Sequence, residues 1–142
     1  MATEESNAAR NIGLFIIRLG LGVVFIVFGS GKLDPGKWAG IGGAMGVYGI
    51  TFAPAFWGFM AMVAELVGGV LLALGLFFRP AAFLMFFTML TATMTKIQGG
   101  ESFGGFAHPL NMAIVFLGLL IAGGGSIAVG RKIPGLGNKW FA

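Results

Sequence analysis

The sequence predicts an all-α fold: a polytopic membrane protein built as a four-transmembrane-helix bundle, with an interfacial or re-entrant segment between helices 1 and 2. Three observations predict it. Hydrophobic residues make up 57% of the 142 residues and charged residues only 10%, whereas a soluble domain carries about 25% charged residues. Four apolar runs reach the ~20 residues that a helix needs to cross a ~30 Å hydrocarbon core. The stretch between the first two runs is too long for a tight turn and too apolar for a solvated loop.

The elements follow in order. Residues 1–11, beginning MATEESNAAR, form a short N-terminal segment. Glu4 and Glu5 stand where a secretory signal would be basic, so the first apolar segment is expected to remain as an anchor. The spans are read as residues 12–31, 57–78, 80–97 and 109–129. Pro80 and Pro109 open the third and fourth, since proline suits the first turn of a helix. Residues 130–142 form a C-terminal tail. The linker KLDPGKWAGIGGAMGVYGITFAPAF holds six glycines and two prolines, which argues against a fifth span. Its Trp38, Met45, Val47, Tyr48, Ile50, Phe52 and Phe56 argue for folding onto the bundle, because irregular backbone at membrane depth needs cover from protein or a wet cavity.

Orientation comes from Lys and Arg, which collect in cytoplasmic loops. With four spans, one side holds Arg10, Arg79, Arg131, Lys132 and Lys139, and the other Lys32, Lys37 and Lys96. Both termini are therefore expected in the cytoplasm. The formal charge of +4 is read as a consequence of this topology.

Composition also excludes chemistry. The chain has no cysteine and one histidine, so disulfides, thiolate sites, Cys nucleophiles and a bis-His haem within one chain are ruled out. No metal site is expected, and no surface for nucleic acid. GSGKLDPGKW (Gly29–Trp38) has the Gly-Lys of a phosphate-binding loop, but Ile26 and Leu33 occupy the positions that need Gly and Ser or Thr. No cofactor is evident from the residues themselves.

Glycine, at 26 residues, points to closely packed membrane helices. Small-xxx-small pairs occur at Ala64–Gly68, Gly69–Ala73, Thr88–Ala92 and Gly118–Ala122; span one has no complete pair. Glu65 shares a helical face with Gly58, Ala61, Gly68, Leu72 and Gly75, a small-residue face that should meet other helices. A carboxylate at mid-membrane costs about 2.5–3.5 kcal/mol on insertion scales and needs a partner or a proton. Arg18, on the neighbouring span, is the expected partner. That pair would either fix helix register or help to hold a ligand head group or move a proton; a protonated, unpaired glutamate is the third reading.

Further polar candidates are Thr88, Thr91 and Thr95 on one face of span three, followed by Lys96, with His108 and Asn111 near the outer end of span four. The threonines either bond back to their own helix carbonyls or line a polar groove. A ligand carbonyl could accept a bond from His108.

RLGLGVVFIVFGSGKL (Arg18–Leu33) followed by AELVGGVLLALGLFFRPAAF (Ala64–Phe83) resembles the DoxX family of small four-helix membrane proteins. Arg18, Gly29, Lys32, Glu65, Gly68, Gly69, Gly75 and Arg79 match its pattern, and GGGS at Gly123–Ser126 is similar to its glycine-rich end of span four. The resemblance covers about residues 12–128. Ile127, Ala128 and Val129 stand where many relatives carry aspartate, and Asn111 where relatives often carry an acid.

The resemblance implies a bacterial or archaeal cytoplasmic membrane and a tie to quinone-linked redox systems, such as thiosulfate:quinone oxidoreductase or terminal quinol oxidase subunits. The leading expectation is a membrane subunit of a quinone-linked oxidoreductase. A pocket near Arg18, Glu65, Lys32 and the threonine face would hold the quinone, with Gly68, Gly69 and Gly75 as packing positions. The alternative is a non-catalytic accessory or scaffold subunit. Expected partners are the lipid bilayer and other membrane subunits or further copies of the chain. A solute transporter fits less well, since four spans without repeats make alternating access hard.

Overall fold

The computed structural model describes residues 2–134. The helices are α1 (Ala2–Ser30), α2 (Trp38–Gly42), α3 (Pro54–Leu74), α4 (Phe78–Gln98) and α5 (Phe103–Ala122). Four of them, α1, α3, α4 and α5, are long and apolar enough to cross a membrane. Each 20- or 21-residue helix spans about 30 Å at ~1.5 Å per residue, matching the hydrocarbon core.

The observed limits differ from the expected ones for local reasons. α1 starts well before residue 12, because the polar residues at its head, ATEESN, are tolerated once the helix emerges from the core; Ala2–Ser30 is longer than a span requires. α3 ends at Leu74 and not at residue 78, because Gly75 takes a left-handed conformation (φ 69°) and caps it. Phe77 (φ 43°) completes the turn into α4. α5 begins six residues before Pro109 and carries that proline inside it. It stops at Ala122, where Gly123 (φ 80°) and Gly125 (φ 77°) reverse the chain. Of the expected tail, residues beyond 134, including Lys139, lie outside the described residues.

Backbone contact at glycine governs the packing. A methyl group placed on Gly29 of α1 would lie 2.5 Å from the Leu66 nitrogen of α3, and one on Gly22 would lie 2.7 Å from the Gly69 carbonyl. Close approach of this kind is how membrane helices gain van der Waals contact in the absence of a hydrophobic drive. Span one therefore packs closely on α3 through glycines seven residues apart, although it lacks a small-xxx-small pair. Gly118, counted in such a pair, meets nothing within 4 Å. Met85 of α4 packs on Gly68 of α3, its sulfur 3.2 Å from where a methyl would be. Phe25 and Phe116 meet edge to face at 5.1 Å and tie α1 to α5.

The linker folds onto the bundle. Asp34 accepts a bond from Gly36 N at 2.9 Å and starts a 3₁₀ turn over Pro35–Lys37. α2 then lies against the first turns of α3, where Gly42 and Gly58 leave room for each other's backbone. A second 3₁₀ turn, Gly43–Tyr48, crosses to α4. There the Tyr48 ring stacks on Phe87 at 5.6 Å, and its hydroxyl lies 3.2 Å from Thr91 Oγ1. The linker is thus a wedge between α3 and α4.

Candidate intramembrane site

Arg18 does not pair with Glu65. The guanidinium donates from Nη2 to the Ile127 carbonyl and sits 5.3 Å from the centre of the Phe15 ring. Its Nη1 occupies the space that a side chain on Gly75 would fill. It is 1% exposed, and among the described residues its Nε and Nη1 have no hydrogen-bond partner. The reason is depth. α1 and α3 run antiparallel, with Gly29 opposite Leu66 and Gly22 opposite Gly69 and Ala73. That register brings Arg18 to Gly75, the cap of α3, ten residues beyond Glu65 and about 15 Å along the helix direction.

The same register carries the other end of α1 to Glu65. Lys32, just past the helix, donates from Nζ to Glu65 Oε2 and forms an ion pair with it. The Lys32 side chain is 27% exposed and that of Glu65 2%. The pair therefore joins a buried carboxylate to a partly exposed cation. Trp38 fixes the backbone beside it, its indole N–H donating to the Lys32 carbonyl at 2.8 Å.

Glu65 and Lys32 form part of the wall of a cavity of about 330 Å³ between the linker, α3 and α4. The linker contributes Ile41, Gly42, Ala44 and Met45. α3 adds Trp57, Met60, Ala61 and Ala64, and α4 adds Leu84, Phe87, Thr88, Met89, Thr91 and Ala92. Apart from the ion pair and two threonines, the wall is apolar. The hydroxyls are committed to their own helix: Thr88 donates to Leu84 O at 2.9 Å, Thr91 to Phe87 O at 2.9 Å and Thr95 to Thr91 O at 2.9 Å.

The other expected site residues lie elsewhere. Thr95 is not in the cavity wall. Lys96 pairs with Glu101 at 3.0 Å on the exposed surface. His108 is exposed, with its ring 6.2 Å from Phe28, and Asn111 is exposed as well. Gly68 and Gly69 sit in helix contacts, and Gly75 sits against Arg18. No cluster of three or more metal-ligating side chains occurs among the described residues. Sequence reasoning missed Met45 and Tyr48 of the linker, for which the linker's unusual apolarity is the available signal, and Trp57 of α3, for which there is none.

These features define a small four-span membrane protein whose polar centre is a lysine–glutamate pair beside a mostly apolar cavity. Residues 13–98 match the DoxX family, and the chain belongs to that family. It is 32% identical over 138 residues to "Inner membrane protein YphA" of Escherichia coli (strain K12), covering 90% of this chain and 95% of that protein. It is 30% identical over 89 residues to "Putative oxidoreductase CatD" of Bacillus subtilis (strain 168), covering 63% of each. No solved structure matches the chain.

Proposed function

We propose that the protein is a membrane subunit of a quinone-linked oxidoreductase and that its cavity receives the quinone head group. The observation that carries this reading is the ammonium–carboxylate pair set in a mostly apolar wall. Pockets for small organic ligands run from about 300 to 1,000 Å³, mostly apolar with a few convergent polar groups. The Lys32 ammonium can donate a charge-assisted bond to a quinone carbonyl. Trp57, Phe87 and the methionines offer the flat, polarizable contacts that a ring takes.

Reduction of a quinone to a quinol consumes two electrons and two protons. In this reading a partner subunit supplies the electrons, and Lys32, partly exposed and bonded to Glu65, is the route for protons. Arg10, Arg79, Arg131 and Lys132 at the end of the bundle shared by α1's start and the α5 turn favour a cytoplasmic placement of that end. The site then lies toward the outer half of the membrane. The name of the B. subtilis relative supports an oxidoreductase context, and that of the E. coli relative a bacterial inner membrane.

The test is purification from native membranes into nanodiscs, with extraction and quantification of quinone and mass spectrometry of co-purifying proteins. Near-stoichiometric quinone that falls at least roughly tenfold in Glu65→Gln supports the reading. A preparation that carries no quinone and does not take up added quinone overturns it. Co-purification with a complex whose activity survives both Lys32→Met and Glu65→Gln would assign an accessory role instead.

A further inference from the structure

The cavity wall has a polar part and an apolar part, and their placement bears on how a ligand gets in. The polar part is the Lys32–Glu65 pair. The apolar part includes side chains exposed on the outside of the bundle. Leu84, Phe87 and Met60 line the cavity and are 48%, 40% and 36% exposed. Leu84 and Phe87 lie six and nine residues into α4, about 9 and 14 Å from its start, well inside the hydrocarbon zone. The exposure of these side chains is therefore exposure to lipid.

The wedge explains why an opening exists there. α3 and α4 touch where Gly68 meets Met85. Beyond that point the linker stands between them, held to α3 through Gly42 and Gly58 and to α4 through Tyr48. The cavity is the space left beneath the wedge. Its ~330 Å³ accommodates a ring with its substituents at the low end of ligand pockets, leaving no room for a long tail.

We infer that the ligand is a lipid-tailed amphiphile that enters sideways from the bilayer, seats its head at Lys32–Glu65 and leaves its tail running out past Leu84 and Phe87 into the acyl chains. This rests on the quinone reading for the head group and adds the tail and the route. It excludes a water-soluble substrate entering from the aqueous face, which would leave an apolar opening in the membrane without use.

The experiment uses the full-length protein in nanodiscs containing a phospholipid with a diazirine at mid-chain, irradiated and mapped by peptide mass spectrometry. Adducts are expected on the inner wall, at Met45 and Met89, as well as on outward residues of α5 such as Ile114 and Leu117. A decyl-tailed quinone should suppress the inner adducts at least roughly fivefold and leave the α5 adducts unchanged; a quinone without a tail should suppress them less. Ala64→Phe, which fills the cavity, should remove the inner adducts while the α5 adducts report an intact fold. Adducts confined to outer surfaces in the unaltered protein would overturn the lateral route. If quinone still binds in that case, the head-group reading survives alone. Inner adducts that no quinone displaces would keep the lateral opening and reject the quinone.

Discussion

Lys32 reaches Glu65 because Gly29, three residues earlier, lets α1 lie directly on the backbone of α3 at Leu66. The ion pair and the glycine contact are one construction: the second sets the depth at which the first forms. Glu65 sits near the middle of α3, where water cannot solvate a carboxylate, and the cation is supplied from a chain segment just outside α1. Both members of the pair line the cavity, the glutamate buried and the lysine partly exposed.

Removing the cation should therefore cost more than neutralising the acid. Lys32→Met strands a buried carboxylate and should destabilise the protein by about 2 kcal/mol, below the ~3–5 kcal/mol typical of broken buried pairs because the lysine is partly solvated. Glu65→Gln keeps an oxygen for the ammonium and should cost less. The double variant should lose less than the two losses added together. Thermal unfolding in one detergent, followed by tryptophan fluorescence, measures all three. Additive losses would show that the pair is not energetically coupled.

The glycine register gives an independent prediction. Gly29→Ala and Gly22→Ala place a methyl within 2.5–2.7 Å of the α3 backbone and should each cost about 1–3 kcal/mol, the usual range for overpacking. Gly118→Ala, which meets nothing within 4 Å, should cost nothing measurable. Resistance to SDS unfolding in mixed micelles ranks the three. A Gly118→Ala loss as large as that of Gly29→Ala would contradict the assigned interface.

Much of the fold was legible because bilayer thickness is a strict ruler: four runs of apolar residues could only be four spans, and an apolar linker could only fold back. The pairing of Glu65 was not. Nothing in the sequence sets the register of α1 against α3, and that register puts Arg18 at Gly75, about 15 Å along the helix from Glu65. Arg18, Gly22, Phe25 and Gly29 share one side of α1 by their three- and four-residue spacing. Lys32 lies three residues further along that same side, and the Gly22–Gly29 spacing was the signal that it would reach α3. The threonine face was half informative: Thr88 and Thr91 reach the cavity, whereas Thr95, a further turn along, does not.

Gly75 should be among the least replaceable residues. Its φ of 69° is left-handed, which costs a residue with a side chain about 1–2 kcal/mol, and Arg18 Nη1 fills the space where that side chain would go. Gly75→Ala should lower the unfolding temperature more than Gly29→Ala does. Arg18→Ala in the same chain should recover the steric part of the loss and leave the backbone part. No recovery in the double variant would mean that the guanidinium moves aside without cost.

The Tyr48–Thr91 contact closes the wedge on α4, and its loss should alter ligand occupancy more than stability. Thr91 already donates to the Phe87 carbonyl, so its oxygen is left to accept from the Tyr48 hydroxyl. Tyr48→Phe removes that donor and keeps the ring stacked on Phe87. It should cost about 1 kcal/mol, the usual net worth of one hydrogen bond, since Thr91 keeps its bond to the Phe87 carbonyl. Thr91→Val removes the acceptor and should change ligand release in the same sense. Thr95→Val, outside the cavity wall, should leave release unchanged. The rate at which bound quinone exchanges with labelled quinone in nanodiscs distinguishes them. Faster exchange in Tyr48→Phe and Thr91→Val, with Thr95→Val unaffected, is the expected pattern. Equal rates in all three would show that the linker does not control the opening, and that the stacking of Tyr48 on Phe87 alone holds the wedge in place.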